Sequence, residues 1–470
     1  MRKTKMICTI GPACSDEKTL SELCLAGMNV ARLNFSHGTH EQHKKLIDTI
    51  KKVRTELSMP IAIMLDTKGP EYRIGVFEGG SVTVCDGDEF IFTADDIIGD
   101  NKKVSVSYKG IAAEMKKGDI IKVNNGLLIF EVVSTTKSDV ICKTIVGGEM
   151  RDKKSMSFPD KVLGQKYVSD DDKSDIIFGI ENDVDFIACS FVSCKQDLLD
   201  VKKIISENGG KNIDIIAKIE NRSGVDNIEE ICEECDGIMV ARGDLGVEIP
   251  FEEVPAIQKH MIKECRLLGK RVITATEMLE SMINNARPTR AEISDVANAV
   301  FDGTSAVMLS GETAAGKYPV LTAQTMAKIV EQAEKSISYD EVFHNSRFKI
   351  KNTVDAISHA TCNMAIDIDA RVIAVCSLSG ATVRMVSRFR GPADIMGLTT
   401  DEKTWRKLSL SWGVTPVKAE RYDSTEVLFY TAKNLAAKTF SLSKGDRIVI
   451  TGGLVNGSSG NTNMIKVETV

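Results

Sequence analysis

The sequence predicts an α/β protein built from a (β/α)8 TIM barrel, an inserted all-β lid domain and a C-terminal α/β domain. Its 470 residues are enough for roughly three domains, since a domain averages about 150 residues. Short β-branched runs alternate with amphipathic helical patterns, and this alternation stops between residues 71 and 169. We therefore expect the barrel at residues 1–70 and 170–345, the insertion at 71–169 and the third domain at 346–470.

The barrel prediction depends on eight strand-like runs, each followed by a helical pattern. Three precede the insertion and five follow it, and together the units occupy about 240 residues, a normal size for this fold. The first helix is expected to begin at Asp16. The eight runs are KMICTI, NVARLNF, IAIMLD, DFIACSF, IDIIAKIE, GIMVARGD, RVITATE and SAVMLS.

The other two domains are predicted from shorter patterns. Between Glu71 and Asp170, short strands follow one another through glycine or aspartate turns without a long helix, which indicates a small β-barrel domain. Its predicted strands are YRIGVF, SVTVC, EFIFTA, DIIKVN, LLIFEVV and DVICKTIV. In the C-terminal domain, strands are predicted at RVIAVCS, ADIMGLT and RIVITGG.

Composition excludes several classes of partner. The net charge of -6 provides no broad positive field for a polyanion, so we expect no nucleic-acid partner. No run approaches the ~18 apolar residues of a membrane-spanning helix, and we expect no membrane partner. Many of the twelve cysteines lie inside apolar strands, which favours a reducing, cytoplasmic location.

Polar residues lie at the carboxyl ends of the predicted barrel strands, where barrel enzymes place their chemistry. Because side chains alternate along a strand, Arg32, Asn34 and Ser36 share one face, and so do Lys218 and Glu220. Asp66, Asp244 and Thr276 lie at or near other strand ends. Any one of them alone could simply be a solvent-facing strand end.

Taken together, these residues indicate a site for a phosphorylated substrate. A buried lysine or glutamate is costly unless it is paired, so a barrel mouth with this many charges needs a compensating ligand. Two carboxylates on neighbouring strands, with few other hard ligands, suit Mg²⁺, which takes its other oxygens from water and phosphate. Arg32 and Lys218 suit the phosphate itself. The sequence therefore predicts a metal-dependent enzyme with a lysine at its centre.

Several long stretches carry a family resemblance. They are CTIGP, MNVARLNFSHG, LDTKGPE, IIAKIEN, GIMVARGDLGVEIP, the run from Thr274 through RPTRAE and DVANAV, and MLSGETAAGKYP. Along essentially its whole length the chain resembles pyruvate kinases of the bacterial type that lack an extra C-terminal domain. The resemblance implies phosphoryl transfer from phosphoenolpyruvate to ADP, giving pyruvate and ATP in the last step of glycolysis. It also implies Mg²⁺ (or Mn²⁺) and K⁺ as cofactors, an allosteric phosphorylated effector and a homotetramer.

The resemblance also assigns roles to individual residues. Lys218, Thr276 and Arg32 would be catalytic, with Lys218 stabilising the phosphoryl group in flight and Thr276 on the proton path. Glu220 and Asp244 would bind Mg²⁺. The implied substrate contacts are Arg32, Ser190, Lys218, Gly243, Asp244 and Thr276. The implied K⁺ ligands are Asn34, Ser36, Asp66 and Thr67, and the implied nucleotide contacts are Arg73 and Lys154.

Two features outside this set concern regulation and ion dependence. In SLSGATVR, the effector site implied by the resemblance comprises Ser377, Ser379, Gly380 and Thr382, although simple helix capping explains the same residues. Family members differ at the position of Glu71: those with glutamate need K⁺, and those with lysine largely do without it.

Departures from the family pattern lie near the edge of the site. Residues 153–160 read KKSMSFPD, Ser193 stands where many members carry arginine, and Glu277 stands where glutamine is usual. The sequence also offers two other functions. GETAAGKY resembles a nucleotide-binding phosphate loop, but Tyr318 replaces the hydroxyl that binds Mg²⁺. The other is a catalytically inactive pyruvate-kinase-like metabolite sensor, against which the intact site residues argue.

Overall fold

The first strands and helices of the barrel follow the predicted alternation. The computed structural model describes residues 2–161, 163–453 and 462–470. Asp16 is the N-cap of the first helix, its side chain accepting a hydrogen bond from Thr19 N, as its position in the sequence predicts. The elements are β1 (Lys5–Thr9), α1 (Glu17–Leu25), β2 (Val30–Asn34), α2 (His40–Glu56) and β3 (Ala62–Asp66).

The insertion is a curled sheet of seven strands with a separate two-stranded ribbon. The sheet order is β4-β12-β8-β9-β10-β6-β7, and the ribbon pairs β11 with β5. A single bridge between Ile74 and Val106 joins the ends of the two edge strands, so the sheet curls toward a barrel. Its elements are β4 (Tyr72–Arg73), β5 (Ser81–Val84), β6 (Glu89–Thr93), β7 (Lys103–Ser105), α3 (Ile111–Glu114), β8 (Ile120–Val123), β9 (Leu128–Thr135), β10 (Asp139–Val146), β11 (Gly148–Arg151) and β12 (Ser155–Ser157).

The chain then returns to the barrel and closes it. The strand order β1-β17-β16-β15-β14-β13-β3-β2 is a closed ring of eight parallel strands, which confirms the predicted (β/α)8 barrel. The remaining elements are α4 (Asp170–Glu181), β13 (Phe186–Cys189), α5 (Lys195–Glu207), β14 (Asp214–Ile219), α6 (Arg222–Asp226), α7 (Ile228–Glu234), β15 (Gly237–Ala241), α8 (Arg242–Glu248), α9 (Val254–Leu268), β16 (Arg271–Ala275), α10 (Arg290–Asp302), β17 (Ala306–Leu309), α11 (Gly311–Ala314) and α12 (Pro319–Glu334).

The C-terminal domain is a five-stranded sheet with helices, in the order β20-β19-β18-β21-β22, with only β22 antiparallel. The sequence predicts three of these strands; the edge strands β20 and β22 were missed. The elements are α13 (Tyr339–Asn345), α14 (Thr353–Asp367), β18 (Val372–Cys376), α15 (Ala381–Arg388), β19 (Asp394–Thr399), α16 (Glu402–Leu408), β20 (Val414–Lys418), α17 (Thr425–Thr439), β21 (Arg447–Gly452) and β22 (Met464–Thr469). In the described part of the chain, every helix is too short or too polar to cross a membrane.

Ion pairs join the C-terminal domain to the amino-terminal end of the barrel. Asp185, which precedes β13 and is fully buried, lies 2.7 Å from Arg406 Nε. Asp214, the first residue of β14, pairs with Lys407 at 2.6 Å and with Arg271 of the barrel at 2.7 Å. The opposite, carboxyl-terminal end of the barrel therefore stays free of the C-terminal domain.

Candidate active site

Lys218 lies at the centre of the barrel mouth and is surrounded by oxygen atoms. Its ammonium donates a hydrogen bond to Ser190 Oγ at 2.6 Å. The same nitrogen lies 3.0 Å from Asp66 Oδ1 and 3.0 Å from Glu220 Oε1. These partners come from the ends of β3, β13 and β14, which are neighbours in the ring. The structure thus brings together four of the residues that the sequence singled out.

Arg32 supplies a second positive charge beside Lys218. Its Nε lies 2.6 Å from Asp66 Oδ2, so that Asp66 bridges the two cations with its two carboxyl oxygens. Arg32 Nη1 also donates to the hydroxyl of Thr9 at 2.9 Å. Thr9 was not among the predicted site residues, because a threonine inside an apolar strand gives no sign of this contact.

The buried charged groups shift one another's pKa values. Burial works against the charged form of Lys218, but the carboxylates of Asp66 and Glu220 outweigh it and raise the pKa above the usual value. Burial also acts on Asp66, but Arg32 and Lys218 prevail and lower its pKa. Both groups are therefore charged near neutral pH, and the lysine offers a fixed positive charge to an incoming anion.

Glu220 has a carboxylate oxygen that is able to bind a further ligand. Its Oε2 accepts a hydrogen bond from Phe191 N at 2.6 Å, whereas the buried Oε1 accepts none, even though the lysine nitrogen is close. Burial raises the pKa of Glu220 to about 7, in spite of the opposing charge of Lys218. Asp244, in the first turn of α8, is solvent-exposed at the same mouth. An unsatisfied buried oxygen and a nearby free carboxylate fit a hard divalent cation.

Thr276 and Gly243 meet across the mouth. Gly243 N donates to Thr276 Oγ1 at 2.7 Å, and Thr276 adopts a left-handed backbone with φ +68°. Arg242 holds this conformation, because its Nη2 donates to the carbonyl of Thr276 at 2.7 Å while its Nη1 pairs with Asp295. Arg242 is a positioning residue that was not among the predicted site residues. Its partner Asp295 is 53 positions away, and no local pattern links the two.

The four predicted K⁺ ligands lie at the adjacent ends of β2 and β3, where Asn34 and Asp66 are register partners. Ser190 N donates to Thr67 Oγ1 at 3.2 Å, and Ser36 N donates to Asn34 Oδ1 at 3.1 Å. Asp66 and Thr67 are buried, whereas Ser36 is exposed. Both oxygens of Asp66 already contact cations, but a carboxylate oxygen accepts more than one contact.

A cleft with a cavity of about 370 Å³ separates the barrel mouth from the inserted domain. Arg73 and Lys154, the predicted nucleotide contacts, line it together with Asp244. Glu71 also lines it and forms an ion pair with Arg73 at 2.5 Å. A flexible phosphate chain can therefore lie between basic residues of the inserted domain and the carboxylate of the barrel.

Comparison with known proteins shows the family of the chain. The profile of the pyruvate kinase barrel domain matches residues 1–323, and that of the pyruvate kinase alpha/beta domain matches residues 355–468. The chain belongs to the pyruvate kinase family. Its reaction is transfer of the phosphoryl group of phosphoenolpyruvate to ADP, which gives pyruvate and ATP.

Individual pyruvate kinases match over the full chain. The one from Clostridium acetobutylicum is 45% identical over 472 residues, covering 100% of both chains. The one from Bacillus licheniformis is 45% identical and covers 100% of this chain but 81% of its own length. The crystal structure of a pyruvate kinase from Cryptosporidium parvum superposes with a TM-score of 0.95 at 38% identity, covering 100% of this chain and 96% of that one. These relatives give no support to an inactive sensor.

The departures from the family pattern do not disturb the cluster around Lys218. Ser193 lines the cleft, where its hydroxyl accepts a hydrogen bond from Asn221 Nδ2 at 2.9 Å. Glu277 is exposed, with φ +54°, directly after Thr276. In the described part of the chain, neither side chain forms a hydrogen bond or ion pair with Lys218 or Glu220.

The segment that resembles a phosphate loop is part of the barrel, as its fit to the eighth strand predicts. The backbone N–H groups of Ala314, Ala315 and Gly316 donate to carbonyls of Ser310 and Gly311. Glu312 is fully buried and accepts hydrogen bonds from Leu279 N and Ser310 N. Because these amides are engaged within the loop, they are not arranged to cradle a phosphate.

The predicted effector segment lies where β18 ends and α15 begins. Gly380 is the N-cap of α15 with φ +73°, and no side chain caps this helix in the described part of the chain. Gly380 thus occupies the N-cap position, but side-chain capping does not account for the hydroxyl residues of this segment. Thr382 is buried and its hydroxyl lies 2.5 Å from that of Thr462, while Ser377 and Ser379 are half-buried. The amides of the first turn remain available to an anion.

Proposed function

We propose that the chain carries out the pyruvate kinase reaction with Lys218 as the group that stabilises the phosphoryl group in transfer. The observation that carries this proposal is the Lys218 ammonium, held among Ser190, Asp66 and Glu220 at the mouth of the barrel. The test is pyruvate formation from phosphoenolpyruvate and ADP, followed with lactate dehydrogenase and NADH. Failure to form pyruvate while the substrate still binds would instead support the inactive sensor.

Substrate binding is assigned to groups that already point into the mouth. Arg32, Ser190 and Lys218 receive the phosphate of phosphoenolpyruvate. The carboxylate of the substrate takes the N–H of Gly243 and the hydroxyl of Thr276, whose mutual hydrogen bond of 2.7 Å is then exchanged for bonds to substrate. Thr276 is on the path of the proton that reaches the enolate carbon. ADP lies in the cleft against Arg73 and Lys154.

Glu220 and Asp244 are proposed to hold Mg²⁺ or Mn²⁺. The unsatisfied Oε1 of Glu220 and the exposed carboxylate of Asp244 support this assignment. A bound divalent ion supplies charge stabilisation for the phosphoryl oxygens and for the developing enolate. Within the chain itself, Lys218 keeps Glu220 oriented toward the mouth, and Phe191 N holds the second carboxyl oxygen.

We expect strong activation by K⁺ and little by Na⁺, because Na⁺ is too small for a K⁺-sized set of oxygens. The proposed ligands are Asn34, Ser36, Asp66 and Thr67. The substrate brings a carboxylate and a phosphate to a site that already holds Glu220 and Asp244. With Mg²⁺, Arg32 and Lys218 as the opposing charges, the site is one positive charge short. At an effective dielectric constant near 20, a unit charge ~5 Å away contributes about 3 kcal/mol, or roughly a hundredfold in rate or affinity.

Glu71 allows this dependence to be tested by substitution. Glu71→Lys should work appreciably without K⁺, because an ammonium replaces the ion, at some loss of maximal rate. Glu71→Gln removes the ion pair with Arg73 without adding an ammonium and is the matched control. Rates are measured with a tetraalkylammonium counterion. Full wild-type activity in the absence of K⁺ would overturn the K⁺ assignment, and K⁺-independence of Glu71→Gln would overturn the charge argument.

Regulation through the first turn of α15 is a further proposal. We expect sigmoidal saturation with phosphoenolpyruvate, which a sugar phosphate or AMP makes hyperbolic by binding near Ser377, Ser379, Gly380 and Thr382. The free amides of the helix support an anion there. Ser379→Glu should abolish the activation by repelling the phosphate, whereas Ser443→Glu, in an exposed turn, should keep it. Hyperbolic kinetics that respond to none of these ligands would contradict the proposal.

We also propose a cytoplasmic homotetramer. The family to which the chain belongs supports the homotetramer, because the resemblance to pyruvate kinases implies one. The twelve cysteines of the chain are free and mostly buried, which supports a reducing compartment.

A further inference from the structure

A second charged cavity lies at the end of the barrel opposite the catalytic residues. It lies between the amino-terminal ends of β16 and β17 and the C-terminal domain. Among the residues that the structure describes, none that lines it is acidic. Its basic lining residues are Arg266, Lys270, Arg271, Arg384, Arg388 and Arg390.

Most of these cations lack a carboxylate partner. Arg271 pairs with Asp214 at 2.7 Å, and Arg388 lies 3.5 Å from Asp355. In the described residues, no carboxylate lies within 4.0 Å of the guanidinium groups of the other three arginines, Arg266, Arg384 and Arg390. The cavity therefore gathers more positive charge than its surroundings balance.

Several of the guanidinium nitrogens are buried without an acceptor. They are Nε of Arg266, Nε of Arg388, and Nε and Nη1 of Arg390. Nη2 of Arg388 forms no hydrogen bond either, but it has the carboxylate of Asp355 at 3.5 Å. Arg388 is 7% exposed and Arg390 is 4% exposed, so water does not reach them freely. A buried cation with free donors is unfavourable unless an acceptor is supplied. Burial and then the charge of Arg266 lower the pKa of Arg390 to about 9.

Neighbouring groups stabilise only some of these buried guanidinium groups. The guanidinium of Arg390 lies 4.5 Å from the ring of Trp412, and that of Arg388 lies 4.7 Å from the ring of Phe389. Aromatic faces stabilise a cation but accept none of its in-plane N–H groups. Arg390 Nη2 does donate to Ser305 Oγ at 2.9 Å. Arg266 Nη2 likewise donates to Ser346 Oγ at 2.8 Å. The donors that keep no acceptor belong to cavity-lining residues of both domains.

We propose that this cavity is a binding site for a phosphate group, either free or carried by a small metabolite, and that its occupation ties the C-terminal domain to the barrel. A tetrahedral dianion has enough oxygens to accept from guanidinium groups on both sides and neutralises their repulsion. The free space is now about 20 Å³, close to that of one water molecule. Arg384 must therefore move outward to admit the whole group. Among the described residues, its guanidinium has one hydrogen bond, a weak one of 3.4 Å to Ser379 O.

The test is thermal unfolding of the full chain during titration with inorganic phosphate at constant ionic strength. Wild type should gain about 2 °C or more in Tm at saturation, because a ligand that binds only the folded state stabilises it. Arg388→Gln and Arg266→Gln should each lose most of this gain. The two arginines belong to different domains, and Arg266 is only half-buried, so at least one variant should fold. Lys438→Gln and Lys444→Gln, which remove exposed cations of the C-terminal domain, are the matched controls.

The outcomes separate this site from the other phosphate sites. Phosphate bound at the barrel mouth or at α15 stabilises wild type and the cavity variants equally. Binding in the cavity is therefore measured by the difference in Tm gain between wild type and the variants. Equal gains in wild type, Arg266→Gln and Arg388→Gln would overturn the proposal. Glucose 6-phosphate and AMP, titrated in the same way, identify the source. If one of these metabolites raises the Tm of wild type but not of the arginine variants, and does so at a tenfold lower concentration than inorganic phosphate, the ligand is a phosphorylated metabolite. Otherwise the ligand is free phosphate.

Discussion

Lys218→Met is expected to lower turnover by about a thousandfold or more while changing the binding of phosphoenolpyruvate much less. Methionine keeps the length of the side chain but removes the charge that acts on the phosphoryl group during transfer, and loss of one such group costs about 10²–10³ in rate or more. Steady-state kinetics give the turnover number, and fluorescence titration gives the substrate affinity.

The loss of the ammonium also leaves two buried carboxylates, Asp66 and Glu220, with one cation fewer. Removing one member of a buried pair is destabilising, so the melting temperature of Lys218→Met must be measured together with its kinetics. Lys173→Met makes the same chemical change at an exposed position on α4 and should behave as wild type. Turnover of a folded Lys218→Met protein within tenfold of wild type would refute the role assigned to the lysine.

Glu220→Ala and Asp244→Ala are expected to raise the Mg²⁺ concentration needed for half-maximal rate by about tenfold to a hundredfold, with a loss of maximal rate. Each substitution removes one of the two proposed protein ligands. Binding of Mn²⁺, followed by its electron paramagnetic resonance signal, gives a readout that does not depend on turnover. Both variants should weaken the binding of Mn²⁺.

Glu220 also has a structural contact, which a second variant separates from metal binding. Glu220→Gln keeps an acceptor for Phe191 N but removes the negative charge. If Glu220 binds the metal, this variant should need nearly as much Mg²⁺ as Glu220→Ala. Asp226→Ala, at an exposed position on α6, is the control. Unchanged Mg²⁺ and Mn²⁺ titrations in Glu220→Gln and Asp244→Ala would count against both residues as ligands.

The elements that the sequence predicts well are those whose burial follows a regular period. The eight barrel strands are buried runs between amphipathic helices, and their alternation with helices is the signal of a parallel barrel. The missed strands are short or lie at edges. β7 and β12 have three residues each, and β20 contains Pro416. An edge strand needs fewer ladder hydrogen bonds and less apolar surface. Its sequence therefore shows less of the regular apolar pattern from which strands are predicted.

The sequence by itself determined the barrel and the residues at its mouth, because strand periodicity alone places Lys218 and Glu220 on one face and sends strand ends to a common rim. Only the tertiary structure decided which charges meet there. Asp66 bridges Arg32 and Lys218, and Arg242 reaches Asp295 and the carbonyl of Thr276. The same holds for the arginine cavity, whose walls come from residues more than 100 positions apart. Burial and distance set the strength of a charge interaction, and both arise only when separate segments pack against one another.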